Sequence, residues 1–159
     1  MSRNPEPSVT LTPVDSEREA EWVRRLLGRS GLPTDDLRVD GAPDPGAGKP
    51  TLYVVEADDE RVGCIGLERY GDAALLRSAA VAEPHRGRGF GRAAVRALEA
   101  RAGSAGVETL FLLTTTAAAF FEGLGYERVE RESVPAPMQE SAEFSELCPS
   151  SATVMRRRL

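Results

Sequence analysis

Apolar residues change their spacing several times along the chain, and each change marks an element. Residues 8–14 (SVTLTPV) alternate weakly, as an edge strand does. Ser16 followed by Glu19 has capping-box spacing, and Trp22, Val23, Leu26 and Leu27 then recur at helical spacing until Gly31 and Pro33 stop the helix. Asp40 to Pro50 (DGAPDPGAGKP) has no apolar period, which predicts a mobile loop serving as a lid or a spacer. Thr51–Glu56 and Arg61–Leu67 are apolar and β-branched runs separated by Ala57-Asp58-Asp59-Glu60, a hairpin signal. Ala73–Ala82 extends the meander after a turn at Tyr70-Gly71-Asp72.

Helical spacing returns at Gly91–Ala102, where Ala94, Val95, Leu98 and Ala102 line one face, and Gly103 is the expected stop. Thr109–Leu113 is a short continuous apolar run, the pattern of a strand buried on both faces. Ala117–Leu124 reads as a helix closed by Gly125, and Tyr126–Val129 and Ala152–Met155 are the last strand candidates. Such an order predicts an α/β (α+β) domain with helices on both faces of one sheet. Residues 1–7 are expected to be a flexible N-terminus and residues 8–159 a single domain.

Composition narrows the chemistry. With 159 residues the chain suits one domain that buries roughly 70% of its unfolded surface. No apolar run reaches the roughly 18–20 residues of a bilayer span, and Met1–Pro7 lacks a signal-peptide core, so a cytoplasmic location away from membranes is expected. Cys64 and Cys148 form neither CxxC nor zinc spacing, and a single histidine, His85, excludes HExxH; no metal is expected. Lys49 is the only lysine and lacks P-loop glycines. A net charge of −5 argues against duplex nucleic acid as the partner.

Chemistry concentrates in Val81–Arg96 (VAEPHRGRGFGRAAVR), which passes from a strand end through a glycine-rich turn into an amphipathic helix. Gly87, Gly89 and Gly91 permit backbone angles closed to other residues, and the N–H groups of positions 87–92 converge on the positive end of the helix dipole. Each charge-assisted N–H bond is worth about 1.5–3 kcal/mol and the dipole roughly 0.3–2, enough together to offset pyrophosphate desolvation. Arg86, Arg88 and Arg92 add attraction. A dinucleotide fingerprint fails because Arg92 stands where GxGxxG from Gly87 needs glycine, and an arginine-glycine RNA-binding tract would be longer and repetitive. A purely structural glycine turn remains the plain alternative.

The spacing Arg86-x-x-Gly89-x-Gly91 after a strand ending in Val81 and Pro84 resembles the acetyl-CoA motif of the GNAT acetyltransferase superfamily. The element order over most of the chain agrees. Thr114–Tyr126 (TTTAAAFFEGLGY) is similar to a second family motif, Asn-x-x-Ala-x-x-Phe-Tyr then Gly-Phe, with Phe120, Gly125 and Tyr126 matching, Thr114 in place of asparagine and Phe121 in place of tyrosine. The resemblance implies a mixed, mostly antiparallel sheet. It implies acetyl-CoA held by Val81, Ala82, Arg86, Gly87, Arg88, Gly89, Phe90, Gly91 and Arg92, with Thr114 and Phe120 beside them. The thioester would lie where the strands ending near Val81 and Leu113 splay, with backbone N–H groups of 81–83 facing the oxyanion. In many relatives the tyrosine at position 121 protonates the leaving thiolate, so another acid, water or none serves here.

LLRSAAV from Leu75, LLTTTAAAFFEGLGY from Leu112 and AEFSELCPSSATVM from Ala142 are similar to a GNAT subgroup of arsenic-resistance N-acetyltransferases. The implied acceptor is the amine of a small molecule, amino-acid-like or arsenic-bearing, and the implied assembly a homodimer. Rival readings are acetylation of a protein N-terminus or lysine, and a non-catalytic acetyl-CoA sensor. Losing its proton at pH 7 costs an α-amine about 1.4 kcal/mol but a lysine-type amine roughly 4.6, so a low-pKa acceptor manages with a weak base. Glu68, or Glu56 across the hairpin from it, is the candidate base. Arg77 interrupts an apolar strand on the face of Leu75, Ala79 and Val81, where it either pairs with a carboxylate such as Glu68 or anchors an anionic substrate group. Cys148 is packed, or serves as acid, nucleophile or arsenic ligand. His85 is solvated or near the coenzyme phosphates.

Overall fold

A computed structural model describes residues 7–30, 50–139 and 152–159. Its centre is a seven-stranded sheet: β1 (Thr10–Pro13), β2 (Pro50–Ala57), β3 (Glu60–Tyr70), β4 (Ala73–Val81), β5 (Thr109–Thr114), β6 (Glu127–Arg128) and β7 (Thr153–Arg158). The order is β1-β2-β3-β4-β5-β7-β6, and every neighbouring pair is antiparallel except β4–β5. β1 lies at an edge, where Pro13 can be tolerated. Asp58 and Asp59, with φ of 51° and 64°, make the two-residue turn between β2 and β3.

Alternation along the strands sorts the core onto two faces. Helices α2 (Phe90–Ser104) and α3 (Ala118–Gly123) cover one, where Val95, Leu98 and Phe121 pack on Tyr53, Ile65, Leu76, Leu110 and Leu112. On the other face α1 (Glu17–Arg29) presents Val23, Leu26 and Leu27 to Leu52, Val54 and Cys64. Beside it Val134 and Met138, from a 3-10 turn and the one-turn α4 (Ala136–Gln139), pack on Leu75, Phe111 and Val154. Leu110 and Leu112 thus face one cluster and Phe111 the other, as a strand buried on both faces requires.

The α1 cap forms as the spacing predicts: Ser16 Oγ accepts the Glu19 N–H at 3.2 Å. Three expectations shift. Gly103 lies inside α2, which runs to Ser104, and the left-handed residue that follows is Gly106 at φ 96°. Pro50 begins β2 instead of ending a loop; the rest of the Asp40–Pro50 loop, with Gly31 and Pro33, lies outside the described residues. Glu56 pairs with Arg61 while Glu68 pairs with Pro50, so the two carboxylates sit at opposite ends of the hairpin, not across from each other. Among the described residues no helix is long and apolar enough to cross a membrane.

Candidate active site

Among the described residues β4 and β5 are the only parallel neighbours, and they stay together briefly. Ala73–Leu75 pair with Thr109–Phe111, after which both strands continue unpaired with each other, to Val81 and to Thr114. Just beyond the last residue paired with β5, β4 carries a bulge. Its register against β3 slips between Cys64/Ala80 and Gly66/Arg77, and Ser78 adopts φ 56°. An extra residue in one strand turns it away from its partner and reverses which side chains face which way. Accordingly Ala79 packs toward the α2 cluster and Ala80 toward the α1 cluster. The expectation that Arg77 shares a face with Ala79 and Val81 fails for this reason.

The gap between the splayed strands is a cavity of about 620 Å³. Its walls include Val95, Leu112 and Phe121 from the α2 side and Cys64, Ala80 and Leu113 from the other, so it passes through the sheet. At the α2 side it opens onto the glycine-rich turn. Gly87 and Gly89 have φ of 79° and 85°, and Gly89 caps α2. The first helical bond runs from the Ala93 N–H to the Gly89 carbonyl at 3.0 Å, so the N–H groups of Phe90 and Gly91 precede the helix's own hydrogen-bond ladder. A Cβ on Gly91 would lie 3.5 Å from Phe120 and 3.6 Å from Val81, inside the channel they bound.

Of the residues expected to hold the coenzyme, Val81, Arg86, Gly87, Gly89, Phe90, Gly91, Arg92, Thr114 and Phe120 line this cavity. Arg88 is exposed and outside the lining. Ala82 is also outside it, and its N–H already donates to the Val62 carbonyl at 2.8 Å, which removes it as an oxyanion donor. Arg86 Nε donates to the Val81 carbonyl at 2.9 Å, fixing the turn to the strand end. Thr114 Oγ1 accepts the Ala117 N–H at 2.9 Å, so it caps the entry to α3 from its place on the wall. His85 also lines the cavity, edge-on to Phe90 with ring centroids 5.9 Å apart and Nε2 3.8 Å from Glu60. Phe120 is 43% exposed and Phe121 buried, and their rings meet edge to face.

Beneath the bulge runs a buried polar chain. Tyr70 Oη donates to Glu68 Oε2 at 2.7 Å, Arg77 Nη1 to Glu68 Oε1 at 2.6 Å, and Arg77 Nε to Ser78 Oγ at 3.1 Å. The side chains of Arg77 and Glu68 are 0% and 2% exposed. Arg77 pairs with Glu68 and also lines the cavity, so the carboxylate contact forms while the side chain stays at the wall where an anionic substrate group would be met. Glu68, the candidate base, has both oxygens engaged and lies outside the cavity lining, and Glu56 accepts from Thr12 Oγ1 at 2.6 Å on the β1 edge.

Two other ionisable groups near the cavity are held in their neutral forms. Burial pushes the Cys64 thiol up to about 12, and its Sγ–H donates to the Ser78 carbonyl at 3.3 Å. Burial, reinforced by the Glu99 carboxylate that accepts its hydroxyl at 2.9 Å, lifts Tyr126 well above the usual phenol range. Tyr126 therefore belongs to a structural network in which Arg96 and Arg157 both donate to the Leu124 carbonyl behind α3. Cys148 lies outside the described residues. Among the described residues no three His, Cys, Asp or Glu side chains gather as metal ligands.

Residues 48–128, about half the chain, match the family "Acetyltransferase (GNAT) domain". The chain belongs to the GNAT acetyltransferase family. It is 34% identical over 85 residues to an uncharacterized N-acetyltransferase of Chlorobaculum tepidum, an alignment spanning 53% of this chain and 54% of that protein, so it spans about half the length of that curated relative. N-acetylglutamate synthase of Neisseria gonorrhoeae, solved with coenzyme A and L-arginine, superposes with a TM-score of 0.76 at 16% identity, covering 97% of this chain and 34% of that one. Rv2747 of Mycobacterium tuberculosis, solved in complex with CoA, gives 0.72 at 21% identity over 96% and 99% of the two chains. At such identities the likeness is one of fold.

In this GNAT domain the sequence reading found the glycine turn and missed the bulge. Cys64, Ser78, Ala79 and Ala80 all line the cavity, and none was singled out for it. One signal was available. Arg77-Ser78 puts two polar residues in succession into an apolar strand, which strict alternation cannot accommodate without a break.

Proposed function

We propose that this protein is an acetyl-CoA-dependent N-acetyltransferase whose acceptor is the amine of a small molecule. One observation carries the reading: the same cavity joins the glycine-rich turn at the N-terminal end of α2 to a breach in the sheet. A pyrophosphate on the N–H groups of Gly87 to Arg92 would send the pantetheine arm past Gly91, between Val81 and Phe120, to a thioester between β4 and β5. An acceptor entering from the opposite face would meet it there. Arg86 and Arg92 would add charge at the phosphate end, with Thr114 and Phe120 on the wall facing α2.

Direct transfer suits these walls. The neutral amine nitrogen attacks the thioester carbon, the tetrahedral intermediate collapses with cleavage of the C–S bond, and the proton lost from the new amide nitrogen passes, directly or through water, to the leaving CoA thiolate. No tyrosine stands at position 121, and a thiol near 12 makes Cys64 a poor nucleophile, which argues against an acetyl-cysteine intermediate. With Glu68 engaged, an acceptor of low pKa is favoured over a lysine side chain. The finer resemblance to arsenic-resistance enzymes rests on sequence alone, and much of it on residues 142–151, outside the described part of the chain. Amino-acid-like and arsenic-bearing amines are the first acceptors to test.

The test is CoA release from acetyl-CoA against a panel of α-amino acids, arsenic-bearing amino acids, lysine-containing peptides and peptides with free N-termini. Turnover with small α-amines is expected. Peptide-only turnover would move the acceptor class to protein, and tight acetyl-CoA binding without turnover would favour a sensor, the outcome that Phe121 makes worth testing.

A further inference from the structure

We infer that the Ser78 hydroxyl is a hydrogen-bond donor to the thioester carbonyl oxygen, a catalytic group supplied by the β4 bulge; the inference rests on the coenzyme reading above. Ser78 is buried, lines the cavity, and is the bulge residue of β4, three positions beyond the last residue paired with β5. Its φ of 56° is a conformation that L residues avoid, at a cost on the order of 1–3 kcal/mol, and such strain persists only where the surroundings enforce it. Here two contacts flank the residue. Cys64 Sγ–H donates to its carbonyl and Arg77 Nε–H to its hydroxyl.

Arg77 decides the direction of the Ser78 proton. A guanidinium has donors only, so the hydroxyl must accept from Arg77 and turn its own hydrogen elsewhere. Arg77 itself cannot swing away, because Glu68 and through it Tyr70 hold it. The hydroxyl is thus a preoriented donor at the breach, where negative charge would gather on the acetyl oxygen. With the Ala82 N–H committed to Val62, it would supply what that backbone donor cannot. No proton is transferred: the O–H bond stays intact while the carbonyl oxygen gains and then loses charge. Glu68 and Arg77 become positioning residues in this scheme.

Ser78→Gly and Ser78→Ala test it together: glycine accepts φ 56° without strain but removes the whole hydroxymethyl group, whereas alanine removes the hydroxyl alone. A purely structural serine predicts a Gly variant at least as active as wild type. The donor role predicts a kcat lower by about 100-fold with the acetyl-CoA dissociation constant within about twofold, and the same kcat loss in Ser78→Ala, whose strain is retained. Infrared difference spectra of bound [13C]acetyl-CoA give a second readout that needs no acceptor. The carbonyl band should lie lower in wild type than in Ser78→Gly. Identical bands, or a Gly variant within threefold of wild-type kcat, overturn the inference alone; failure of the wild-type protein to bind acetyl-CoA overturns the coenzyme reading and this one with it.

Discussion

Gly91→Ala should strengthen the empty protein and weaken the coenzyme complex, and the opposed signs make it the sharpest test of the cradle. Gly91 lies in the first turn of α2 with helical backbone, so alanine meets no φ penalty there. Its methyl would stand 3.5 Å from the Phe120 ring and 3.6 Å from the Val81 methyl, ordinary contact distances that nothing must move to accommodate. Helix propensity and reduced unfolded-state entropy together favour alanine by about 0.5–1 kcal/mol, a rise of roughly 1–4 °C in Tm for a chain of this size. The same methyl fills part of the channel between Phe120 and Val81 through which the pantetheine arm would pass on the proposed reading. Overpacking of that kind costs about 1–3 kcal/mol, a coenzyme Kd raised roughly 5- to 150-fold. Thermal unfolding without ligand and calorimetric titration with CoA measure the two halves. A higher Tm with an unchanged Kd would show that CoA does not run past Gly91, and the cradle would have to be abandoned.

Three further outcomes follow from the same contacts. Arg77→Ala or Glu68→Ala leaves its partner as an uncompensated buried charge and should cost about 3–5 kcal/mol in urea unfolding, whereas Arg77→Met with Glu68→Leu should be more stable than either single change; additive losses would contradict the pairing. Because the Cys64 thiol is pushed from 9.0 to about 12, the folded state holds that proton more tightly than the unfolded chain. Its contribution is complete below pH 9 and is lost as pH climbs toward 12, to a total of about 4 kcal/mol, so Cys64→Ala should flatten the fall in stability between pH 9 and 11. Gly103→Ala, at an exposed α2 position with nothing within 4 Å of the new methyl, should raise Tm while leaving CoA affinity unchanged, the control for Gly91.

Local signals carried the reading of the chain where a single element settles its own structure. Ser16 and Glu19 cap α1 because the cap needs only three residues of sequence, and Gly89 at φ 85° starts α2 because no other residue type takes that angle as readily. Pairing was harder to read. Glu56 and Glu68 look like neighbours when the hairpin is drawn from composition, yet the two-residue turn at Asp58-Asp59 fixes a register that sends them to opposite ends. Gly103 was a plausible stop, but Val107 bonds to the Ala102 carbonyl and the turn closes at Gly106 instead. In each case the deciding contact lies between elements or beyond the expected boundary.

Arg77 shows most clearly how one backbone irregularity redistributes chemistry. Had β4 alternated regularly, Arg77, Ala79 and Val81 would share a face, and a guanidinium among small residues would be free to greet an anionic substrate. The extra residue at Ser78 instead sends Ala79 and Val81 toward α2 and holds Arg77 against Glu68 below the breach. A charge that cannot leave the protein interior without orphaning its partner is better suited to fixing a neighbour than to capturing a ligand. The bulge thus follows directly on the end of the β4–β5 pairing, and on the proposed reading it sets the Ser78 hydroxyl at the cavity wall with the paired Arg77 as its internal support.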